Sequence, residues 1–255
     1  MPYPNNIDKN TSTFPRADYG IDAPPVVRKL SQRGVALTII GIAAFLFLSE
    51  PHWLKYIIGY WGVFGGASML LTALLMVWSS KIGKLRMREK LVDSLQLRGE
   101  ETVLDVGCGR GLLLIEAAKR LPNGKAIGVD LWQSVDQSGN HPEVTVENAR
   151  TEGVIERVEV KTGDMRNLPL PDASVDAVVA SLSIHNIPDA EGSADAIREI
   201  HRALKPGGQI ALLDFQATDE YLATFRSLGW QDLERTGLSF WMFPPVRVVR
   251  GKKPA

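Results

Sequence analysis

The chain has 255 residues, 45% of them hydrophobic, and its 29 basic side chains are balanced by 29 acidic ones. That length holds one α/β domain and an appendage, and the single cysteine, Cys108, excludes a disulfide framework within the chain and agrees with a reducing compartment. The zero net charge conceals a split: residues 1–90 carry eleven Lys and Arg against five acids, residues 91–255 eighteen against twenty-four, so the C-terminal part argues against a nucleic-acid partner.

Residues 1–27 are rich in Pro, Asn, Asp and Thr without a period and read as part of an irregular tail reaching to residue 33. Two apolar segments follow within 34–78. Tyr56 to Trp78 has no charge over 23 residues, enough to cross a hydrocarbon core. Gly34 to Ser49 is uncharged over only 16 residues, so spanning needs local thinning, snorkelling by Arg33 and Lys55, or a re-entrant path. The mostly polar residues before it, with no small-residue cleavage pattern ahead of the second segment, disfavour a signal peptide. Arg28, Lys29 and Arg33 precede the pair, Lys81, Lys84, Arg86, Arg88 and Lys90 follow it, and Glu50 to Lys55 between them carries one Lys. The expectation is a two-span membrane protein with both termini and the C-terminal domain cytoplasmic, its basic collar against anionic membrane lipids. Gly59, Gly62 and Gly66 leave a small-residue face for the first span or for another copy in a homo-oligomer, unless they merely reflect the abundance of glycine in membrane helices.

Residues 79–255 read as one domain. Lys81 to Leu97 is an amphipathic helix with Ile82, Leu85, Leu91 and Leu95 among its apolar positions. Strands are expected at 102–106, 125–130, 157–162, 175–180 and 209–215, helices near 111–121, 142–152, 190–203 and 219–228, and a closing hairpin from Trp230 to Ser239 and Val246 to Arg250. This is an α/β fold with a Rossmann-like, seven-stranded, mostly parallel sheet and an antiparallel terminal hairpin, preceded by a transmembrane helical hairpin. Ligands of such sheets sit beyond the carboxyl ends of the strands. There the chain places Asp105, Gly107, Gly109 and Gly111 after the first strand, Asp130 and Leu131 after the second, Asp164 and Met165 after the third, and Ser181 to Asn186 after the fourth.

Glycines in that turn let the backbone approach a ligand, and an acid at the next strand tip can accept two ribose hydroxyls. The spacing is G-x-G-x-G, not the G-x-G-x-x-G of a dinucleotide site, and Asp105 suits a cationic ligand better than a pyrophosphate, which weighs against a nicotinamide-dependent dehydrogenase. The long polar loop Trp132 to Pro142 is either one wall of an acceptor pocket or a plain surface loop. His185, just past the fourth strand, is a candidate general base with Asn186 as its orienting partner, or a structural histidine. Cys108 reads as a small buried residue under the ligand, and no metal site is expected.

Val103-Leu104-Asp105-Val106-Gly107-Cys108-Gly109-Arg110-Gly111 with Asp130, Gly163-Asp164-Met165, Leu168-Pro169, Asp172 to Asp176 and Leu204-Lys205-Pro206-Gly207-Gly208 together resemble the motifs of class I S-adenosylmethionine-dependent methyltransferases, with Val175 where that family usually has Phe. The resemblance covers most of residues 85–255. Leu168-Pro169 and Ser183 to Asn186 look most like the branch with ubiquinone and menaquinone methyltransferases. It implies S-adenosyl-L-methionine as cofactor, with Asp130 on the ribose, Asp164 on the adenine amino group, Leu131 and Met165 on the faces of the base, and Asp105 near the methionine end. In that family an N-terminal segment can fold over the cofactor, so Tyr19 and Asp22 are either part of a lid or of the tail. A lone cysteine excludes arsenite as acceptor. The implied activity is methyl transfer to a small, apolar or membrane-partitioned acceptor. A thiol acceptor and a non-catalytic scaffold remain as alternatives.

Overall fold

The computed structural model describes residues 17–133 and 139–255. Residues 1–16 of the expected tail and residues 134–138 of the loop expected as a pocket wall lie outside the described residues.

The first helix, α1 (Pro24–Phe47), begins ten residues before the apolar segment that announces it. Pro24 and Pro25 occupy its first turn, where a missing N–H costs nothing, and Arg28, Lys29 and Arg33 lie within the helix. The tail therefore ends at residue 23, not 33, and α1 is an unbroken helix of 24 residues. It packs antiparallel to α2 (His52–Trp78) through glycines on both sides. A Cβ on Gly62 would lie 2.6 Å from Gly41 Cα, and one on Gly66 2.2 Å from Thr38 Oγ1. The small-residue face thus meets the first helix of the same chain. The buried positions of the two helices are Gly34, Gly41, Ala44, Gly59, Gly62, Gly66 and Ala73, while Phe47, Trp61 and Phe64 point outward and are exposed. Both helices are long and apolar enough to cross a membrane.

Helix α2 runs through one π-helical turn, Ser79–Gly83, into α3 (Lys84–Asp93), making one continuous stretch from His52 to Asp93. The expected amphipathic helix is present but ends at residue 93, and Gln96 adopts a positive φ of 48° in the connection to the sheet.

The domain alternates β1 (Thr102–Val106), α4 (Leu112–Lys119), β2 (Lys125–Asp130), α5 (Pro142–Thr151), β3 (Val158–Thr162), β4 (Val175–Ser181), α6 (Ala190–Ala203), β5 (Leu204–Asp214), α7 (Thr218–Ser227), β6 (Leu233–Arg235) and β7 (Arg247–Lys252). The seven strands lie in the order β3-β2-β1-β4-β5-β7-β6, with β7 antiparallel to both its neighbours and the other pairings parallel. The order reverses between β1 and β4, where Val103 pairs with Ala177. Alternate residues fill two cores. Val103, Val179 and Ala211 face α3 and α4, whereas Leu104, Val178 and Ile210 face α6 and α7.

The terminal hairpin is shorter than the sequence suggests. Only Leu233–Arg235 forms its first strand. Trp230 leaves the strand because its ring is buried against Phe225, with its indole N–H donated to His201 Nδ1 at 2.8 Å. Ser239 touches the sheet through a lone bridge to Val246.

Candidate functional site

Strand β1 ends in Asp105-Val106-Gly107, and the chain then turns sharply. Gly107 and Cys108 both donate their N–H to Val129 O, at 2.8 and 3.2 Å, which ties the turn to the neighbouring strand. Gly107, Gly109 and Gly111 have φ of 70°, 50° and 84°, a region that residues with a Cβ rarely adopt. Gly107 is also fixed by space, since a Cβ there would fall 2.3 Å from Ser183 Cβ.

Asp130 closes the turn from β2. Its Oδ2 accepts the Gly109 N–H at 2.8 Å, and its Oδ1 accepts the Trp132 N–H at 2.6 Å and the Asn140 amide at 3.2 Å. The carbonyl oxygen of Asn140 is buried and has no hydrogen-bond partner among the described residues. Asp105 lies beneath the turn, fully buried, with its Oδ2 accepting the Leu114 N–H at the start of α4 at 2.8 Å. Burial pushes its carboxyl up to about 8 despite that hydrogen bond, and the nearby Asp130 adds to the rise. Cys108 is buried against Gly128, where a Cβ would stand 2.7 Å from Sγ, and burial raises its thiol well above the ordinary range. That fits a packing residue and not a nucleophile.

Asp164 and Met165, after β3, face the same space, with Leu131 beside them. Asp164 is engaged by Arg166, whose backbone N–H and guanidinium reach it at 2.9 and 2.6 Å and hold its carboxyl below the usual range. Ser181 is the last residue of β4, and Ser183 donates its hydroxyl to Val106 O at 2.7 Å.

His185 sits in a short 3-10 turn after β4 and lines the site. Its Nδ1 lies 2.9 Å from Oδ1 of Asp214, the buried last residue of β5. Asp214 also accepts the Tyr221 hydroxyl at 3.0 Å and the Phe215 N–H at 2.8 Å, and the Phe215 ring meets the imidazole edge-on at 4.6 Å. The partner of His185 is therefore Asp214, not Asn186, whose amide reaches only Leu182 O at 3.5 Å. A residue adjacent in sequence points elsewhere on the 3-10 turn, while the neighbouring strand brings an acid opposite. The signal was an acid ending an apolar strand, Leu212-Leu213-Asp214, the same placement that singles out Asp105 and Asp130.

The segment before α1 is built into the site. Tyr19 is buried in the α3–α4 core and donates its hydroxyl to Glu152 at 3.1 Å. Asp18 receives the guanidinium of Arg110, from the glycine turn itself, on both its carbonyl (2.8 Å) and its carboxylate (3.0 Å). Asp22 pairs at 2.9 Å with Lys84, a buried lysine at the start of α3, and accepts the Ser80 hydroxyl at 3.0 Å. Nothing in the local sequence marks Lys84 or Ser80, because their partners lie about sixty residues away.

Many of these groups, though not Asp18, Tyr19, Arg110 or Asp214, line a cavity of about 800 Å³. Its lining includes Asp105, Gly107, Gly109, Asp130, Leu131, Asp164 and Met165, then Ser181, His185 and Asn186, and also Ala23 and Val26 at the start of α1, Met76 of α2 and Met242 to Pro244. Gly111 is not in its lining; it caps α4 in a left-handed conformation, with Thr145 and Ile115 against it.

Residues 103–208 match the model of a methyltransferase domain. The chain is 30% identical over 165 residues to a demethylmenaquinone methyltransferase of Lactobacillus johnsonii, covering 64% of this chain and 60% of that protein. It spans less than two thirds of the length of that relative and of others it matches. Among solved structures, a SAM-dependent methyltransferase from Aquifex aeolicus shares the fold with a TM-score of 0.52 and 21% identity, covering 66% of this chain and 90% of that one. The cyclase SpnF shares it with a TM-score of 0.57 and 21% identity over 67% of this chain and 81% of that one, so the architecture by itself does not choose the reaction. The match to a methyltransferase domain thus covers residues 103–208, and the likeness to solved structures shows the fold.

Proposed function

We propose that this chain transfers a methyl group from S-adenosylmethionine to a small acceptor that is apolar or partitions into the membrane, with α1 and α2 as a bilayer anchor and the domain on the cytoplasmic face. One observation carries the reading: the glycine turn, His185 and residues at the roots of the two apolar helices all line a single cavity. An acceptor held beside those helices would thus share one cavity with the cofactor.

The residues fit S-adenosylmethionine. Asp130 offers a carboxylate beside the turn, and the buried side-chain Oδ1 of Asn140 next to it, without a partner among the described residues, is an acceptor suited to a hydroxyl or amino group of the nucleoside. Leu131 and Met165 supply apolar contact, and Asp164 an acid whose Arg166 must share or yield it. Bound there, the cofactor supplies an electrophilic methyl on a sulfonium. Ser181 and the neighbouring 3-10 turn position the acceptor opposite that methyl, and the apolar walls exclude water. His185 takes the proton that the acceptor loses, at Nε2, since Nδ1 is committed to Asp214. Asp214 fixes the tautomer and ring orientation, itself held by Tyr221.

The His185 and Asp214 pair favours turnover over a non-catalytic scaffold, and a carbon, oxygen, nitrogen or sulfur acceptor fits the same geometry. The anchor we propose is Pro24–Trp78, and the segment before it packs on the domain, with Tyr19 in the core and Asp22 at the cavity. Its packing against α4 and α5 means that removing the helices with all preceding residues would also strip the core of Tyr19.

The test uses the full chain in bilayers. S-adenosylmethionine is expected to bind and NAD is not. With a labelled methyl donor, label is expected in a product extracted from lipid, and label confined to water-soluble products would overturn the acceptor class. Binding with no transfer to any extract would favour the scaffold. Reporters at both termini are expected on one side of the membrane and one near Pro51 on the other.

A further inference from the structure

We propose that the loop between β6 and β7 is a second membrane contact, seated in the headgroup layer of an anionic leaflet where α2 leaves the bilayer. This rests on the anchor reading above and goes beyond it, because it assigns lipid contact to the catalytic domain itself.

The loop exposes Leu238 (49%), Phe240 (73%) and, in part, Trp241 (37%), three apolar side chains within four residues. Its depth is set by its contacts. Trp241 stacks on Trp78, the last residue of α2, with ring centroids 6.3 Å apart and planes at 19°. The Phe243 N–H is donated to Ser79 Oγ at 2.9 Å, and a Cβ on Gly83 would come within 1.8 Å of Trp241 O, so the loop backbone rests directly on the π turn. The loop therefore lies at the level where the apolar helix gives way to the charged one. Indole rings favour that level, with an apolar body and a polar N–H.

Charge selects the leaflet chemistry. The Arg86 guanidinium lies 4.4 Å and the Lys90 ammonium 5.7 Å from the Trp241 ring, on the side of the patch that faces away from the apolar helices. An aromatic patch flanked by two cations, beside a helix whose outward face is apolar, matches a bilayer with anionic headgroups. A second copy or a soluble protein would have to displace lipid from around α2 to reach the same patch. The consequence is geometric: Met242 to Pro244, which line the cavity, follow the inserted aromatics directly, so that wall of the cavity stands beside the headgroup layer.

The experiment places an environment-sensitive fluorophore at Phe240→Cys in the full chain reconstituted in bilayers of phosphatidylcholine with and without phosphatidylglycerol. Leu238→Cys is the second probe, Glu156→Cys beside the start of β3 the distant control, and the wild-type chain, whose only thiol is buried, the labelling blank. Quenching by spin-labelled lipid is expected to be several-fold stronger at 238 and 240 than at 156. It is expected to strengthen with phosphatidylglycerol, and to lose that dependence in Arg86→Gln/Lys90→Gln. A water-like, unquenched probe in a chain that resists carbonate extraction overturns this inference and leaves the anchor intact. A probe shielded from water but unquenched by lipid overturns it in favour of a protein cover. A chain released by carbonate overturns both.

Discussion

His185 Nδ1 and Asp214 Oδ1 stand 2.9 Å apart across the ends of β4 and β5, so the imidazole is held by a buried acid that also binds the Tyr221 hydroxyl. His185→Ala is expected to lower methyl transfer by about 10²–10⁴-fold, the scale of general base catalysis, with cofactor affinity unchanged. Asp214→Asn is expected to lower turnover by loosening the imidazole. Rates measured with labelled cofactor beside binding isotherms check both. An unaltered rate in His185→Ala would remove the base from the mechanism.

Asp130 accepts three hydrogen bonds from the chain, one of them from Gly109 in the turn. Asp130→Ala is expected to weaken S-adenosylmethionine binding by about 2–4 kcal/mol, the cost of losing charge-assisted hydrogen bonds in a sheltered site. Calorimetry on a folded variant reads this directly, and unchanged affinity would refute the role.

Asp105 gives the pH dependence. With its carboxyl held near about 8 in the fold, against an ordinary value of 3.8, the folded chain keeps a proton that the unfolded chain has lost. Stability from this group is thus fullest below the ordinary value and declines as pH rises toward 8. Asp105→Asn keeps an acceptor for the Leu114 N–H and removes the titration, so its unfolding midpoint in micelles is expected to fall less between about pH 5 and pH 8 than that of the wild type. Parallel curves would show that the carboxylate is ionised in the fold.

Gly62 and Gly65 separate packing from composition. A side chain on Gly62 meets the α1 backbone, whereas nothing stands within 4 Å of a Cβ on Gly65. Gly62→Leu is expected to destabilise the helix pair by at least about 1–3 kcal/mol and widen it, and Gly65→Leu to do neither. Spin-label distances between α1 and α2 check the outcome. Equal behaviour of the two variants would mean that the glycines are incidental.

The strands, the glycine turn and the acids at strand tips are legible in the sequence because period, turn chemistry and strand ends are local properties. Thr102–Val106 and Lys125–Asp130 fall where expected, and Asp105, Asp130 and Met165 face one cavity. What local patterns do not carry is pairing across the fold. Asp214 meets His185 from the next strand, and Arg110 meets Asp18 from 92 residues away. The early start of α1 was hidden because charged residues continue a helix that hydropathy alone ends at Gly34. The brevity of β6 was hidden because burial of Trp230 outweighs its strand propensity.

The unbroken helix from His52 to Asp93 behaves as a shaft of about 60 Å, by the rise per residue. Its lower part is clamped to the sheet, with Arg88 on the Glu116 carboxylate at 3.0 Å and Leu91 and Val92 sunk in the core. The upper part joins it through the π turn Ser79–Gly83, so a tilt there is expected to move the clamped domain with it except for what that turn absorbs. Spanning helices tilt to match the thickness of the surrounding hydrocarbon. Under the proposed anchor, a change in hydrocarbon thickness is therefore expected to shift the height of the domain against the headgroups, with no effector bound.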